Sequence, residues 1–247
     1  MISVQGFHKA YDQTVAVRDL TFEVAPGNVL GLVGPNGAGK TTTLRALAGI
    51  IPTSRGTMHI AGYDLDQSPV EAKLRLAYVP DDPQLFRDLT VEQHLGFTAC
   101  AYGVANPDAK ALELLERFEL TSKRRALASD LSRGMRQKLA ICCAYLHAPL
   151  ALLLDEPLTG LDPHGIRTLK SSVVQQAERG CAVIIRSHLL AVVDDLCTHV
   201  LILDSGQDRF LGSLDAIQSD YATDNESASL EQAYFLATAQ ADAPAEA

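Results

Sequence analysis

Eight consecutive residues, Gly34-Pro35-Asn36-Gly37-Ala38-Gly39-Lys40-Thr41, carry the densest chemical pattern in the chain. Three glycines leave backbone N–H groups free to converge on oxygen atoms without Cβ obstruction. The apolar run Val29–Val33 precedes them and a helical stretch, Thr41–Ile50, follows. That helix aims its free N–H groups and positive pole at the same point. The pattern suits the grip of a nucleotide's phosphates, with Lys40 reaching the β- and γ-groups and the Thr41 hydroxyl available to Mg²⁺.

A phosphate loop needs a second carboxylate facing the metal. Asp155 and Glu156 supply it, closing the apolar run Ala151-Leu152-Leu153-Leu154. Acids at the carboxyl end of a buried strand lie where open α/β sheets bind ligands. Asp155 is placed to hold Mg²⁺, directly or through water, and Glu156 to polarise an attacking water. Two acids after a strand can also simply open a solvated loop; the presence of Lys40 favours the chemical reading.

The elements that must position these groups follow from pattern. Residues 2–33 read as strands, with a turn at Pro26-Gly27, and Thr57–Ile60 and Leu76–Val79 as further strands. Val91–Tyr102, Pro107–Phe118 and Ser132–Leu146 carry helical periodicity with almost no strand signal between them. The region from about 90 to 148 is therefore expected to be a helical insertion. Leu150–Leu154, Ala182–Ile185 and His199–Leu203 are buried-strand runs separated by helical stretches, which implies a parallel sheet covered on both faces. From Ser213 the composition turns Ala-, Asp- and Ser-rich; Leu230–Ala239 is expected to be a short helix and Gln240–Ala247 a frayed end.

Bulk properties narrow the function. A net charge of −9, with Lys and Arg scattered, gives nucleic-acid binding no electrostatic support. Five cysteines at positions without metal-ligand spacing read as reduced, mostly buried thiols of a cytosolic protein. The N-terminus lacks the blocks of a signal peptide, and the most apolar stretch, Leu139–Leu154, is interrupted by His147 and Pro149. It is also shorter than the ~20 residues of a membrane helix. The chain is therefore not expected to cross a membrane by itself.

Read together, these segments resemble the nucleotide-binding subunit of an ATP-binding-cassette (ABC) transporter, over about residues 1–215. Gly34–Thr42, including Ala38 and Thr42, is similar to the Walker A motif, and Leu152–Glu156 to Walker B. Leu131-Ser132-Arg133-Gly134-Met135 resembles the signature usually written LSGGQ, Gly160-Leu161-Asp162 the D-loop, and Ser187-His188 the switch histidine. Tyr11 lies where the family places an aromatic residue under adenine. The resemblance implies a P-loop NTPase fold of class α/β, with a mainly parallel core sheet, an N-terminal antiparallel β subdomain and a helical subdomain at about 82–148. An ABC ATPase domain would fill 1–215, leaving 216–247 as a short, partly helical or disordered tail. It further implies two chains sandwiching two Mg-ATP, as a homodimer or heterodimer. Ser132 and Gly134 would face the partner's nucleotide, Asp162 would bridge the halves, and His188 would touch the γ-phosphate. Lys40, Glu156 and His188 would carry the catalysis. The subunit would sit in the cytoplasm on the inner face of the membrane through its permease. Taken singly, Ser132 is an ordinary helix N-cap, His188 a satisfied histidine and Tyr11 a packing residue.

Two departures bear on that reading. Arg133 stands at a glycine of the usual signature and Met135 at its glutamine, while Gly134 keeps the close backbone approach. Within Tyr78-Val79-Pro80-Asp81-Asp82-Pro83, Asp81 takes the place of the family's Mg²⁺-touching glutamine; its shorter, charged arm is expected to reach the metal with altered geometry. An acid after Val-Pro is similar to cassettes that serve separately encoded export-type permeases. A soluble cassette ATPase working on ribosomes or DNA usually has two cassettes or a long coiled-coil insertion between the Walker motifs. Asp155 follows Lys40 by only 115 positions, which leaves room for neither. A module that binds ATP without hydrolysing it is opposed by Glu156 and His188 but kept open by Asp81.

Overall fold

The computed structural model describes residues 1–221 and 228–239; the expected frayed end at Gln240–Ala247 lies outside them. Two sheets organise the chain. Strands β1 (Ile2–Tyr11), β2 (Thr14–Val24), β4 (Arg55–Ile60) and β5 (Tyr63–Asp64) form an antiparallel sheet in the order β2-β1-β4-β5. The core sheet runs β10-β9-β3-β8-β7-β6, built from β3 (Val29–Val33), β6 (Leu76–Val79), β7 (Ala151–Asp155), β8 (Ala182–Arg186), β9 (His199–Asp204) and β10 (Gln207–Ser213). All its neighbours are parallel except the β9–β10 edge. Buried aliphatic runs on the central strands match a sheet covered on both faces.

Alternation along these strands divides the core in two. Leu30, Leu32, Leu153 and Ile184 point toward helix α1 (Lys40–Leu47), the short α2 (Pro69–Lys73) and the antiparallel sheet. Val33, Leu152, Leu154 and Ile185 point to the opposite helical layer. That layer includes α3 (Val91–Tyr102), α4 (Pro107–Arg117) and α5 (Arg133–Leu146), all inserted between β6 and β7, followed by α6 (Pro163–Glu178) and α7 (Leu190–Leu196). Thr90 and Gln93 cap each other's backbone N–H groups at the start of α3, and Gly103 ends it in the left-handed region.

Strand β10 was not expected. Its sequence, QDRFLGS, is polar because it forms an exposed edge, so it carries no buried-strand run. Ser213 caps α8 (Leu214–Asp220), which spans the expected boundary at 215. Helix α9 (Leu230–Ala239) packs back onto the body, burying Leu230, Ala233 and Ala237 in the same core as Leu154 and Val200. All five cysteines are free; Cys142, Cys181 and Cys197 are buried and Cys100 is exposed. Among the described residues no helix is long and apolar enough to cross a membrane.

Candidate functional site

The glycine loop leaves β3 at Gly34 and enters α1 at Lys40. Gly39 adopts φ 98°, and a Cβ there would meet the carbonyl oxygen of Ala16 at 2.5 Å. Glycine is therefore required twice over, by backbone conformation and by the approach of β2. The loop encloses a cavity of about 140 Å³, walled by Ala16, the segment Asn36–Thr42 and one distant side chain, Arg186. Lys40 Nζ donates to the carbonyls of Gly34 and Pro35, each at 2.6 Å, and so curls over its own loop. Burial lowers its pKa first, with the Arg186 charge next, while Glu156 and Asp155 pull the other way.

Sheet order brings the acids to this loop. Strand β8 lies between β3 and β7, and its last residue, Arg186, is in register with Leu32 on one side and Asp155 on the other. Residues in parallel register share a face, so Arg186 and Asp155 project together on the side of α1. Arg186 Nη1 donates to Asp155 Oδ1 at 2.5 Å, and Nη2 lies 3.9 Å from Glu156 Oε1. The Tyr78 hydroxyl donates to Asp155 Oδ2 at 3.4 Å, its pKa pushed up to about 12 by burial and the adjacent carboxylate.

Glu156 is buried and non-glycine, yet holds φ 48°. Backbone strain of this kind concentrates where a side chain must be aimed. Its N–H donates to the Arg186 carbonyl at 2.9 Å, and its Oε2 pairs with His188 Nδ1 at 2.8 Å. The His188 side chain is largely exposed, which leaves the other ring nitrogen accessible from outside. Thr41 and Asp155 are hard oxygen donors lining one cavity, and a cation already stands on Asp155 in the form of Arg186. That donor set and that charge suit Mg²⁺.

The remaining expected site residues lie on a rim. Tyr11 ends β1 with its ring about half exposed, and Lys9 Nζ sits 5.1 Å from the ring centroid. Ser132 is the N-cap of α5 and accepts from the Met135 N–H at 3.3 Å. A side chain at Gly134 would strike the carbonyl of Gly160. The signature and D-loop segments therefore touch within one chain. Asp162 caps α6 through the Gly165 N–H and pairs with Lys138 at 3.3 Å, and the Lys138 hydrogen bond lowers its pKa.

Asp81 has a partner within the chain. It lines the same large cavity as Thr41 and Asp155, about 990 Å³, but its Oδ1 accepts from Arg133 Nη2 at 2.9 Å. An arginine at the signature position offers a full charge at hydrogen-bond distance, which gives the carboxylate a partner of its own within that cavity. Among the described residues no group of three or more His, Cys, Asp or Glu is arranged to hold a metal. Sequence reasoning missed this pairing, and it missed Arg186. The one available signal for Arg186 was a charged residue closing an aliphatic strand run just before Ser187-His188.

Comparison with known proteins is consistent with this geometry. The ABC transporter family model matches residues 17–159. The chain is 30% identical over 240 residues to the ABC-type transporter ATP-binding protein EcsA of Bacillus subtilis (strain 168), covering 96% of each. It is 33% identical over 209 residues to the Nod factor export ATP-binding protein I of Cupriavidus metallidurans, covering 84% of this chain and 69% of that one. A solved ATP-binding subunit of an ABC transporter superposes with a TM-score of 0.92 at 33% identity, covering 96% of this chain and 99% of that chain.

Proposed function

Because the chain belongs to the ABC transporter family, as an ATP-binding subunit whose ATPase activity is coupled to transport, we propose that it closes as a dimer around two Mg-ATP and drives a separately encoded export-type permease. The observation that carries this reading is the buried Glu156 paired to His188 at 2.8 Å, beside Asp155 and the Lys40 loop. Glu156 accepts a proton from the attacking water, and His188 orients that water against the terminal phosphate. The loop amides from Gly34 to Thr42, together with Lys40, hold the phosphates, while the half-exposed Tyr11 ring stacks on the base. Thr41 and Asp155 hold Mg²⁺, which when bound offsets charge on the β- and γ-oxygens. Asp81, whose Oδ1 accepts from Arg133, would join them through its other oxygen.

Ser132 and Gly134 of one subunit face the nucleotide of the other, and Asp162 bridges the two halves. The segment from Asp81 through α3 transmits the change to the permease, placing the subunit on the inner face of the membrane. Supporting this, Phe86 and Phe97 meet edge to face at 5.2 Å while each is more than half exposed, an apolar patch at the surface of that segment. The backbone N–H of Phe86 also donates to His94 Nε2 at 3.1 Å, tying the patch to α3. Export is the direction suggested by the relative named for Nod factor export.

The test is Glu156→Gln. ATP binding should persist while hydrolysis falls by about 100-fold or more. Unchanged hydrolysis would remove Glu156 from its role. Purification of the untagged protein from membranes should bring down a multi-span protein, and repeated failure to do so would sink the transport reading.

A further inference from the structure

Arg186 has no part in the chemistry described above, yet its guanidinium occupies the centre of the site. Among the described residues it is the only one from outside the glycine loop and β2 to wall the small cavity, and it also lines the larger cavity with Thr41 and Asp155. Its strand lies directly between the strand that feeds the loop and the strand that ends in the two acids. One donor, Nη1, is committed to Asp155; Nη2 is 3.9 Å from Glu156; Nε is buried with no hydrogen-bond partner among the described residues. An unsatisfied buried donor on a fixed cation is costly unless an anion arrives to accept from it.

Resting on the ATPase reading, we propose that Arg186 is a nucleotide-contacting residue that leaves Asp155 to the metal and turns its guanidinium to the terminal phosphate of ATP. Asp155 Oδ1 cannot serve a guanidinium and Mg²⁺ at once, and two cations sharing one carboxylate repel each other. The displaced guanidinium needs an anion within reach. The γ-phosphate, held by the loop whose cavity Arg186 already walls, presents three oxygens to its fork. In the resting site the same arginine lies against both acids, with Nη1 on Asp155 and Nη2 3.9 Å from Glu156. The site thus holds a cation in both states and exchanges which one sits on Asp155. Because ADP lacks the terminal phosphate, this contact favours ATP over ADP.

Equilibrium titration with a non-hydrolysable ATP analogue and with ADP, both with Mg²⁺ present, tests the assignment. Arg186→Ala should weaken ATP binding roughly tenfold or more, the scale of a lost charge-assisted hydrogen bond, and change ADP binding less than about twofold. Arg186→Lys keeps the charge beside the acids and should fold where alanine does not; it should lose part of the ATP preference because it lacks the fork. Equal losses for both nucleotides would overturn the proposal, since Arg186 would then act only by shaping the cradle. Unchanged ATP affinity would overturn it too, leaving Arg186 as a counter-ion of Asp155. On the unmutated protein, the ¹⁵Nε–H resonance of Arg186 should settle at a different position with a non-hydrolysable ATP analogue and Mg²⁺ than with ADP and Mg²⁺; identical responses would also count against it. Failure of the unmutated protein to bind either nucleotide would strike the ATPase reading instead.

Discussion

The two ends of the candidate site are built differently. Around Asp155 and Glu156 the side chains are buried, sit in sheet register, and satisfy one another over short distances. Around Ser132, Arg133 and Asp162 they cap helices, stand about half exposed, and pair across loops. Backbone fixed by a sheet keeps its place whether or not ligand is present, so only a side-chain head such as that of Arg186 has to turn. Groups on exposed loops remain open to solvent, which suits the second chain proposed above. One end is built to be rigid and the other to be met.

Substitutions can break or sharpen that contrast. Leu154→Ala, fully buried under the acids, should lower global stability by about 2–5 kcal/mol in denaturant unfolding and loosen the catalytic end as a whole. Lys40→Ala should leave the fold intact but weaken ATP binding by about 100-fold in calorimetry, since a buried cation on the phosphates is lost. At the exposed end, Ser132→Ala should cost about 1 kcal/mol of thermal stability through the lost N-cap. It should also reduce ATP-driven dimerisation in sedimentation. The Asp81–Arg133 pair, half exposed on both sides, should show a coupling of about 0.2–1 kcal/mol in a double-mutant cycle. A coupling several times larger would mean that the exposed end is as rigid as the buried one.

Much of this was legible in the sequence, and the reason is local. The glycine loop, the aliphatic strand ending in two acids, and the three inserted helices each carry their signal within a dozen or so residues. The groups that escaped reading act across distance. Arg186 meets Asp155 over 31 positions and Arg133 meets Asp81 over 52, and neither separation leaves a periodic mark. Strand β10 escaped because an edge strand needs no buried face. The packing of α9 escaped because Leu230, Ala233 and Ala237 make only a narrow apolar stripe on a short helix.

Arg133 does more than replace a glycine. A side chain at Gly160 would contact its Cγ and Cδ at 3.4 Å, its head group holds Asp81, and the neighbouring Gly134 abuts the Gly160 carbonyl. Three loops from different parts of the chain therefore share one fastening. In amide hydrogen exchange they should behave as a single cooperative unit, with the backbone near Asp81, Ser132 and Gly160 gaining or losing protection together. A nucleotide that tightens one of these loops then quiets all three.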